Sequence, residues 1–367
     1  MTVHVSTLAK AARPAVQWIR SGPPAPDPPA ARGVGGPAIG RTASVQGAPG
    51  DPPAAPDRRR REMQSPHASR PSGFSGRLRK SSQLAKTKSL MKKAARLNLE
   101  DPYRRGAVVV LPAEGDAIFT GDLHGAKDNI GRLIEIADLE NNPKRHLLIQ
   151  EIVHNIQFGL IGRDISFRVL ERVAQLKIEF PDRVHVIMGN HELSELTGKK
   201  ILKENYLLNQ MFAEGIKSTY GEAAREVKLA YNVFFKSLPL AVRTAFGVFF
   251  CHSTPSQRHT EGFDVRLFQV EGEITEKRMN AHIERLVWGR EFTQEAADAF
   301  AALVGAEVLL VGHEACPKGF RVPNSRHVIL DSKDEAGTYV LIPLDCPVSH
   351  PDVVKSIRRI NKEYREE

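Results

Sequence analysis

The sequence predicts an α/β fold of two packed sheets with helices on their outer faces, and three observations carry that prediction. Between residues 100 and 190, short apolar runs of strand length alternate with segments of helical periodicity. A second set of apolar runs follows residue 237. Several runs from both sets stop at a residue with a lone pair to offer a cation, and in α/β sheets ligands gather at the carboxyl ends of strands.

RGAVVVLP and AIFTGD read as two strands joined by a Pro- and Gly-bearing turn. A helix over 127–139 follows, then the turn NNPKR and the strand HLLIQE. Ile165, Val169, Val173 and Leu176 recur near helical period, so a second helix is expected over 163–178, closed by Pro181. VHVIMGN is then the third strand of a β-α-β-α-β series, the pattern of a parallel sheet. Residues 193–237 offer helical runs and no good strand, which predicts a helical insertion over the carboxyl edge of the sheet, where it would shape access. LPLAVRT and GVFFCHS read as a hairpin opening a second sheet. RMNAHIERLVW and QEAADAFAALVG read as helices, and EVLLVGH, RHVILDS and TYVLIPL as further strands.

The chain has 367 residues, 41% of them hydrophobic, enough for a large core. Composition shifts near residue 98. Residues 1–98 are rich in Pro, Ala, Gly, Arg and Ser and are expected to be a disordered basic tail, because they cannot bury enough apolar surface to offset chain entropy. One domain is expected over 99–350, with 351–367 as a tail or short helix. Much of the net charge of +9 sits in the tail, so it says little about the site. Leu84, Met91, Ala94 and Leu97 fall at helical offsets there, so a basic amphipathic helix binding an acidic partner is the alternative to a solvated tail. The opening residues are basic and poor in acids in the manner of an organellar presequence, and Met63 and Met91 offer alternative starts. Three cysteines without CxxC spacing argue for a reducing, cytoplasmic setting, and no apolar run reaches membrane-span length.

The chemistry lies in the strand ends. AIFTGDLHG delivers Asp122 and His124, HLLIQE delivers Glu151, VHVIMGNHE delivers Asn190 and His191, GVFFCHS delivers His252, and EVLLVGHE delivers His313. Oxygen and imidazole ligands without thiolate favour Mn, Fe or Zn at a non-structural site. The number of ligands points to two divalent metal ions about 3.5–4 Å apart sharing a hydroxide nucleophile. Asp122 and His124 would hold one ion, Asn190, His252 and His313 the other, with Glu151 as the bridge.

GDLHG, GNHE, FFCHS and VGHEACPKGF together resemble the motifs of calcineurin-like metallophosphoesterases, in the branch of serine/threonine phosphoprotein phosphatases. The resemblance spans about residues 115–343. It implies a four-layer αββα sandwich over a dinuclear metal centre and the hydrolysis of phosphomonoesters on a phosphoprotein or small phosphoester. It also implies His191 as the general acid for the leaving oxygen. Glu192 reads as structural.

The second motif departs from the family pattern GDxVDRG, since this chain has QEIVHN. Gln150 stands for glycine, Glu151 for the bridging aspartate, and His154 for the aspartate that orients the catalytic histidine. An imidazole there lacks the charge support of a carboxylate, so either His191 is a poorer acid here or His154 is a ligand or the acid itself, and a plain surface histidine is the bland alternative. Asn155 and Met188 replace two phosphate-gripping arginines, and Arg290 and Arg258 are the candidate substitutes. Two rival functions follow: hydrolysis of nucleotide or dinucleotide polyphosphates, and a catalytically impaired metal-binding scaffold for a partner protein.

Overall fold

A computed structural model describes residues 72–155, 163–275 and 281–362. The described residues from Arg79 onward form one compact unit, to which both sheets and the candidate site belong. The start of the first helix, residues 72–78, falls in a second unit.

That helix, α1 (Ser72–Leu99), is the first correction to the sequence reading, which placed 1–98 in a disordered tail. Met91, Ala94 and Ala95 are buried, and Thr87 bonds Tyr220 and Glu171, so the apolar stripe is taken up by the chain's own domain. Apart from Met91 its buried face is made of small and polar residues, so composition favours a solvated tail while the spacing of Met91 and Ala94 favours the helix. The Arg58 to Arg61 run, the presequence-like opening and Met63 lie outside the described residues.

The first sheet has the order β14-β13-β3-β4-β5. Its strands β3 (Asp116–Asp122), β4 (Arg145–Gln150) and β5 (Val184–Val186) are parallel neighbours, joined through α2 (Lys127–Ala137) and α3 (Phe167–Glu179), as the alternation predicts. β13 (Thr338–Pro343) adds antiparallel to β3, and β14 (Ile357–Arg359) adds to β13. The C-terminal segment, expected as a tail or short helix, therefore contributes the helix His350–Lys355 and an edge strand as well.

The second sheet has the order β1-β2-β8-β9-β10-β12-β11. It holds β1 (Arg104–Arg105), β2 (Val108–Val110), β8 (Ala241–Arg243), β9 (Val248–Cys251), β10 (Val308–Val311), β11 (Phe320–Arg321) and β12 (His327–Leu330). β8 and β9 form the expected antiparallel hairpin. β2 and β3, consecutive in sequence, lie in different sheets, so the turn between them crosses from one layer to the next.

Alternation within each strand separates two cores. Phe119, Leu148, Phe250, Leu310, Val328 and Val340 meet between the sheets, with Phe119 and Phe250 edge-on at 5.3 Å. Ile118, Leu147, Ile149 and Phe249 face outward onto helices, including Leu133 of α2 and Val173 of α3. Strands buried on both faces read as continuous apolar runs. The result is an α/β fold of two mixed sheets with flanking helices.

The insertion is mostly helical: α4 (Asn190–Thr197), α5 (Leu208–Tyr220) and α6 (Ala224–Lys236). It also contains a hairpin the sequence reading missed, β6 (Leu202–Lys203) against β7 (Tyr206–Leu207), two residues a side and too short for periodicity to register. Beyond β9 lie α7 (Ala281–Trp288) and α8 (Gln294–Val304). Among the described residues no helix is long and apolar enough to cross a membrane.

Candidate metal centre

Five strand ends converge at one edge of the two sheets. β3 ends in Asp122, β4 runs into Glu151, β5 leads through Gly189 to Asn190 at the start of α4, β9 runs into His252, and β10 leads through Gly312 to His313. The glycines of GNH and GHE are needed for close approach. A Cβ at Gly189 would lie 2.0 Å from Glu151 Oε2, and one at Gly312 would lie 2.2 Å from Asp122 Oδ1.

Backbone strain collects at the same place. Among the described residues seven non-glycine residues have positive φ, and four of them are His124, Glu151, His154 and His313. Such conformations cost about 1–3 kcal/mol each and persist where surrounding structure enforces them, commonly at functional sites.

Asn190, His252 and His313 form one group. Asn190 Oδ1 lies 2.7 Å from His252 Nε2 and 2.9 Å from His313 Nδ1, and those two nitrogens are 3.2 Å apart. His252 Nδ1 is 2.9 Å from Gln150 Oε1, and the Gln150 amide in turn donates to Thr120 O at 2.9 Å. Gln150 therefore fixes the His252 tautomer with the proton on Nδ1, leaving the Nε2 lone pair turned toward Asn190 and Glu151. Gln150 is more than the loss of a glycine: it holds a histidine in place.

His124, Glu151 and His191 form the other group, with ligand atoms within 4.8 Å of one another. His124 Nδ1 is 3.1 Å from Val153 O, so its proton is held there and Nε2 faces inward. Both Glu151 oxygens are buried, and neither has a hydrogen-bond partner among the described residues. Oε1 lies 3.4 Å from His191 Nε2 and Oε2 lies 3.2 Å from His252 Nε2, so the two oxygens face the two groups.

Asp122 accepts the His313 amide on both oxygens at 3.0 Å and stands 3.9 Å from His124 Nε2. Its expected partnership with His124 is thus looser in this geometry than that of His191. Glu192 is fully buried, and its Oε1 accepts the backbone N–H groups of Ile152 at 2.8 Å and Val153 at 3.2 Å, holding the QEIVHN turn.

The electrostatics are those of a cation site. Burial and then the neighbouring Asp331 push the Asp122 carboxyl up to about 8. Burial, followed by the charges of Glu192 and Asp122, pushes Glu151 well above the carboxylate range. Burial brings His124 down to about 3 and, with Arg290 nearby, His313 down to about 3. His191 and His252 lie well below the ordinary value for the same first reason. Neutral imidazoles offering lone pairs beside the carboxylates of Glu151 and Asp122, which no cationic side chain among the described residues pairs, fit divalent cations, which relieve both conditions at once. His313 Nε2, also buried and without a partner, has the same character.

His154 is fully buried at its side chain, so it is no surface histidine. Its Nδ1 lies 3.1 Å from His191 Nδ1 and its Nε2 lies 2.9 Å from Glu195 Oε1.

Neither arginine lines the cleft that opens on His124, His154 and His191, although Arg290 stands near His313 and His252. Arg290 is paired with Glu314, and with Arg258 it lines a separate shallow depression beside Trp288. The cations in the cleft of ≈ 200 Å³ that opens on His124, His154 and His191 are Lys203 and Lys333. Lys333 pairs with Asp331, whereas Lys203 has no ion-pair partner among the described residues. Sequence reasoning missed both, along with Gln150's contact and Glu195. A signal existed for Asp331 and Lys333, because HVILD is one more apolar run stopping at a carboxylate.

Residues 117–317, just over half of the chain, match the model of the calcineurin-like phosphoesterase family. The chain belongs to that family. A probable serine/threonine-protein phosphatase of Encephalitozoon cuniculi is 23% identical over 239 residues, covering 60% of this chain and 47% of that protein. The chain thus spans about half the length of the curated relative it matches. A protein serine/threonine phosphatase from Saccharomyces cerevisiae, described as similar to human phosphatase PP5, superposes with a TM-score of 0.54 at 16% identity. That match covers 71% of this chain and 82% of the yeast chain, and the likeness is one of fold.

Proposed function

We propose that this chain is a metal-dependent phosphoesterase that hydrolyses phosphomonoesters of the phosphoprotein serine/threonine type. The observation that carries the reading is Glu151, a buried carboxylate whose two unpaired oxygens face two sets of neutral nitrogen and oxygen donors. In this reading Asp122, His124 and Glu151, with His191 alongside, belong to one cation position, and Glu151, Asn190, His252 and His313 belong to the other. Two divalent ions, of Mn, Fe or Zn type, supply Lewis-acid charge and lower the pKa of water.

The chain's own residues do the remainder. Gln150 and Val153 hold the tautomers of His252 and His124, so that Nε2 of each faces the centre. His191, when it carries a proton on both ring nitrogens, gives the one on Nε2 to the leaving oxygen, which otherwise departs as an alkoxide. Lys203 and Lys333 line the cleft where the phosphate would sit and take the place of the missing arginines, as point charges without a bidentate fork. The relatives' descriptions support a phosphoprotein over a nucleotide polyphosphate.

The test is turnover of a phosphoserine peptide, a dinucleotide polyphosphate and an aryl phosphate by Mn-loaded protein, with Asp122→Asn beside it. The expected result is phosphopeptide turnover, reduced in Asp122→Asn by on the order of 10³-fold in kcat/KM, about 4 kcal/mol of transition-state stabilisation. Full metal loading with no turnover of any of the three would leave the scaffold reading in its place.

A further inference from the structure

We infer that Glu195 is the outer carboxylate of a three-residue chain, Glu195–His154–His191, that fixes the tautomer and orientation of His191 at the candidate centre. The second motif carries histidine where a phosphoprotein phosphatase has an acidic orienter, and the geometry moves the carboxylate one link outward.

All three side chains are buried. Glu195 Oε1 is 2.9 Å from His154 Nε2 and receives the Asn209 amide at 2.7 Å, while Oε2 is 2.8 Å from Lys228 Nζ. Burial works to raise the Glu195 pKa, but the His154 hydrogen bond and Lys228 bring it below the ordinary value, so it is ionised and only accepts. His154 must then carry its proton on Nε2, since the other tautomer would set a lone pair against a carboxylate. Its Nδ1 is left as an acceptor 3.1 Å from His191 Nδ1, which therefore carries the proton between them. His191 Nε2 is the free nitrogen, and it is the one that faces Glu151 and the cleft.

His154 has no freedom to choose otherwise. Its backbone N–H donates to Ser166 Oγ at 3.0 Å, its φ is 68°, and Phe212 stands edge-on to its ring at 5.4 Å. Asn209 lies on α5 and Lys228 on α6, so both elements of the helical insertion hold the outer carboxylate. The insertion therefore positions the reacting histidine as well as shaping access. In the step this serves, the P–O bond to the leaving group breaks with its electron pair on the leaving oxygen and a water oxygen bonds phosphorus. His191, which enters the step with a second proton on Nε2 beside the one Nδ1 shares with His154, gives the Nε2 proton to the leaving oxygen, returns to the neutral Nδ1–H tautomer, and is recharged by the proton the water sheds. Glu195 touches neither substrate nor reacting atom and is a positioning residue.

The activity arm of the test rests on the proposed function, and the other arm does not. In ¹⁵N-histidine NMR of the Zn-loaded full chain, neutral His154 is expected to be protonated at Nε2 and His191 at Nδ1. A His154 protonated at Nδ1 overturns the inference whether or not the protein turns over any phosphoester. Glu195→Gln keeps the shape and removes the charge. Its kcat on a phosphoserine peptide, whose alkoxide needs a proton, is expected to fall about 100-fold. Its kcat on p-nitrophenyl phosphate, whose leaving group does not, should stay within about threefold, with KM unchanged. Equal losses on the two substrates, or none, overturn the inference. Absence of turnover by the wild-type protein on both would remove the proposed function and leave the tautomers to decide.

Discussion

The strands that deliver the candidate centre also carry a second buried cluster near their other ends, and the two differ in one respect. His146 opens β4 and His185 lies within β5, the strands that lead to Glu151 and Asn190. There Asp101, just past α1, takes Lys177 Nζ at 2.8 Å and His185 Nδ1 at 3.1 Å, and His146 Nδ1 meets His185 Nε2 at 3.1 Å. Burial works to raise the Asp101 pKa, but Lys177 and His185 overcome it and hold the carboxyl far below its usual range. At the centre, Glu151 and Asp122 have no lysine or arginine within ion-pair reach among the described residues and are displaced upward. Similar residue types at similar depth make a closed ion-pair knot in one place and a group of unsatisfied donors in the other. Pairing, more than burial or residue identity, separates a structural cluster from a functional one.

Breaking the knot should give the largest stability effect. Asp101→Asn leaves Lys177, which is 1% exposed, as an uncompensated buried cation, at an expected cost of about 3–5 kcal/mol in urea unfolding. Replacing Lys177 by Met in that background should recover part of the loss. With a folded-state pKa below the usual 3.8, Asp101 contributes stability that is fully present above about pH 4 and is lost as pH falls toward the folded value. If the double variant is no more stable than the single, the cluster is not held by charge.

Loading the centre sharpens the comparison from the other side. A divalent cation at about 100-fold over its Kd should stabilise the chain by about 2.7 kcal/mol, and Asp101→Asn should leave that increment intact. In chelator the sign of the pH dependence reverses. Asp122 titrates near 8 in the fold against 3.8 when unfolded, so the folded chain holds more protons in between and stability falls as pH rises from about 4 to 8. Thermal melts across that range, with and without cation, check it; a chelated protein that grows more stable over the same interval would contradict the picture of unpaired carboxylates.

The difference between the clusters also explains what could be read in advance. Asp122, Glu151, Asn190, His252 and His313 were legible because strand ends are marked locally, by an apolar run and its last residue. His154 was visible as a departure, but its partner was not. Glu195 follows Asn190 by five residues on a short helix and gains its role only when Asn209 and Lys228 fold against it. Helix α1 is readable in part, since Met91 and Ala94 fall at helical offsets and are buried, but Thr87, Ala95 and Asn98 complete that face and have the composition of the tail before it. Arg290 is proposed from its place in LVWGRE, and in the structure it pairs with Glu314, the neighbour of His313. Residues whose function lies in their own position are readable in a sequence, and those whose function lies in a distant partner are not.

Lys203 gives the smallest and most discriminating effect. It sits on the β6–β7 hairpin, whose Leu202 and Tyr206 are 69% and 39% exposed, and it reaches the cleft shared by His124 and His191. Unlike Lys177, it has no ion-pair partner among the described residues, so its charge remains available to a phosphate. An ammonium contacting a phosphoryl oxygen in ground and transition state alike changes binding more than rate. Lys203→Ala should therefore raise KM for a phosphopeptide about 10-fold with kcat nearly unchanged, and Lys203→Arg should restore it. Arg258→Ala, in the separate depression, should leave both constants alone. If Arg258→Ala raises KM and Lys203→Ala does not, phosphate recognition lies on the Trp288 side and the hairpin serves only to cover the cleft.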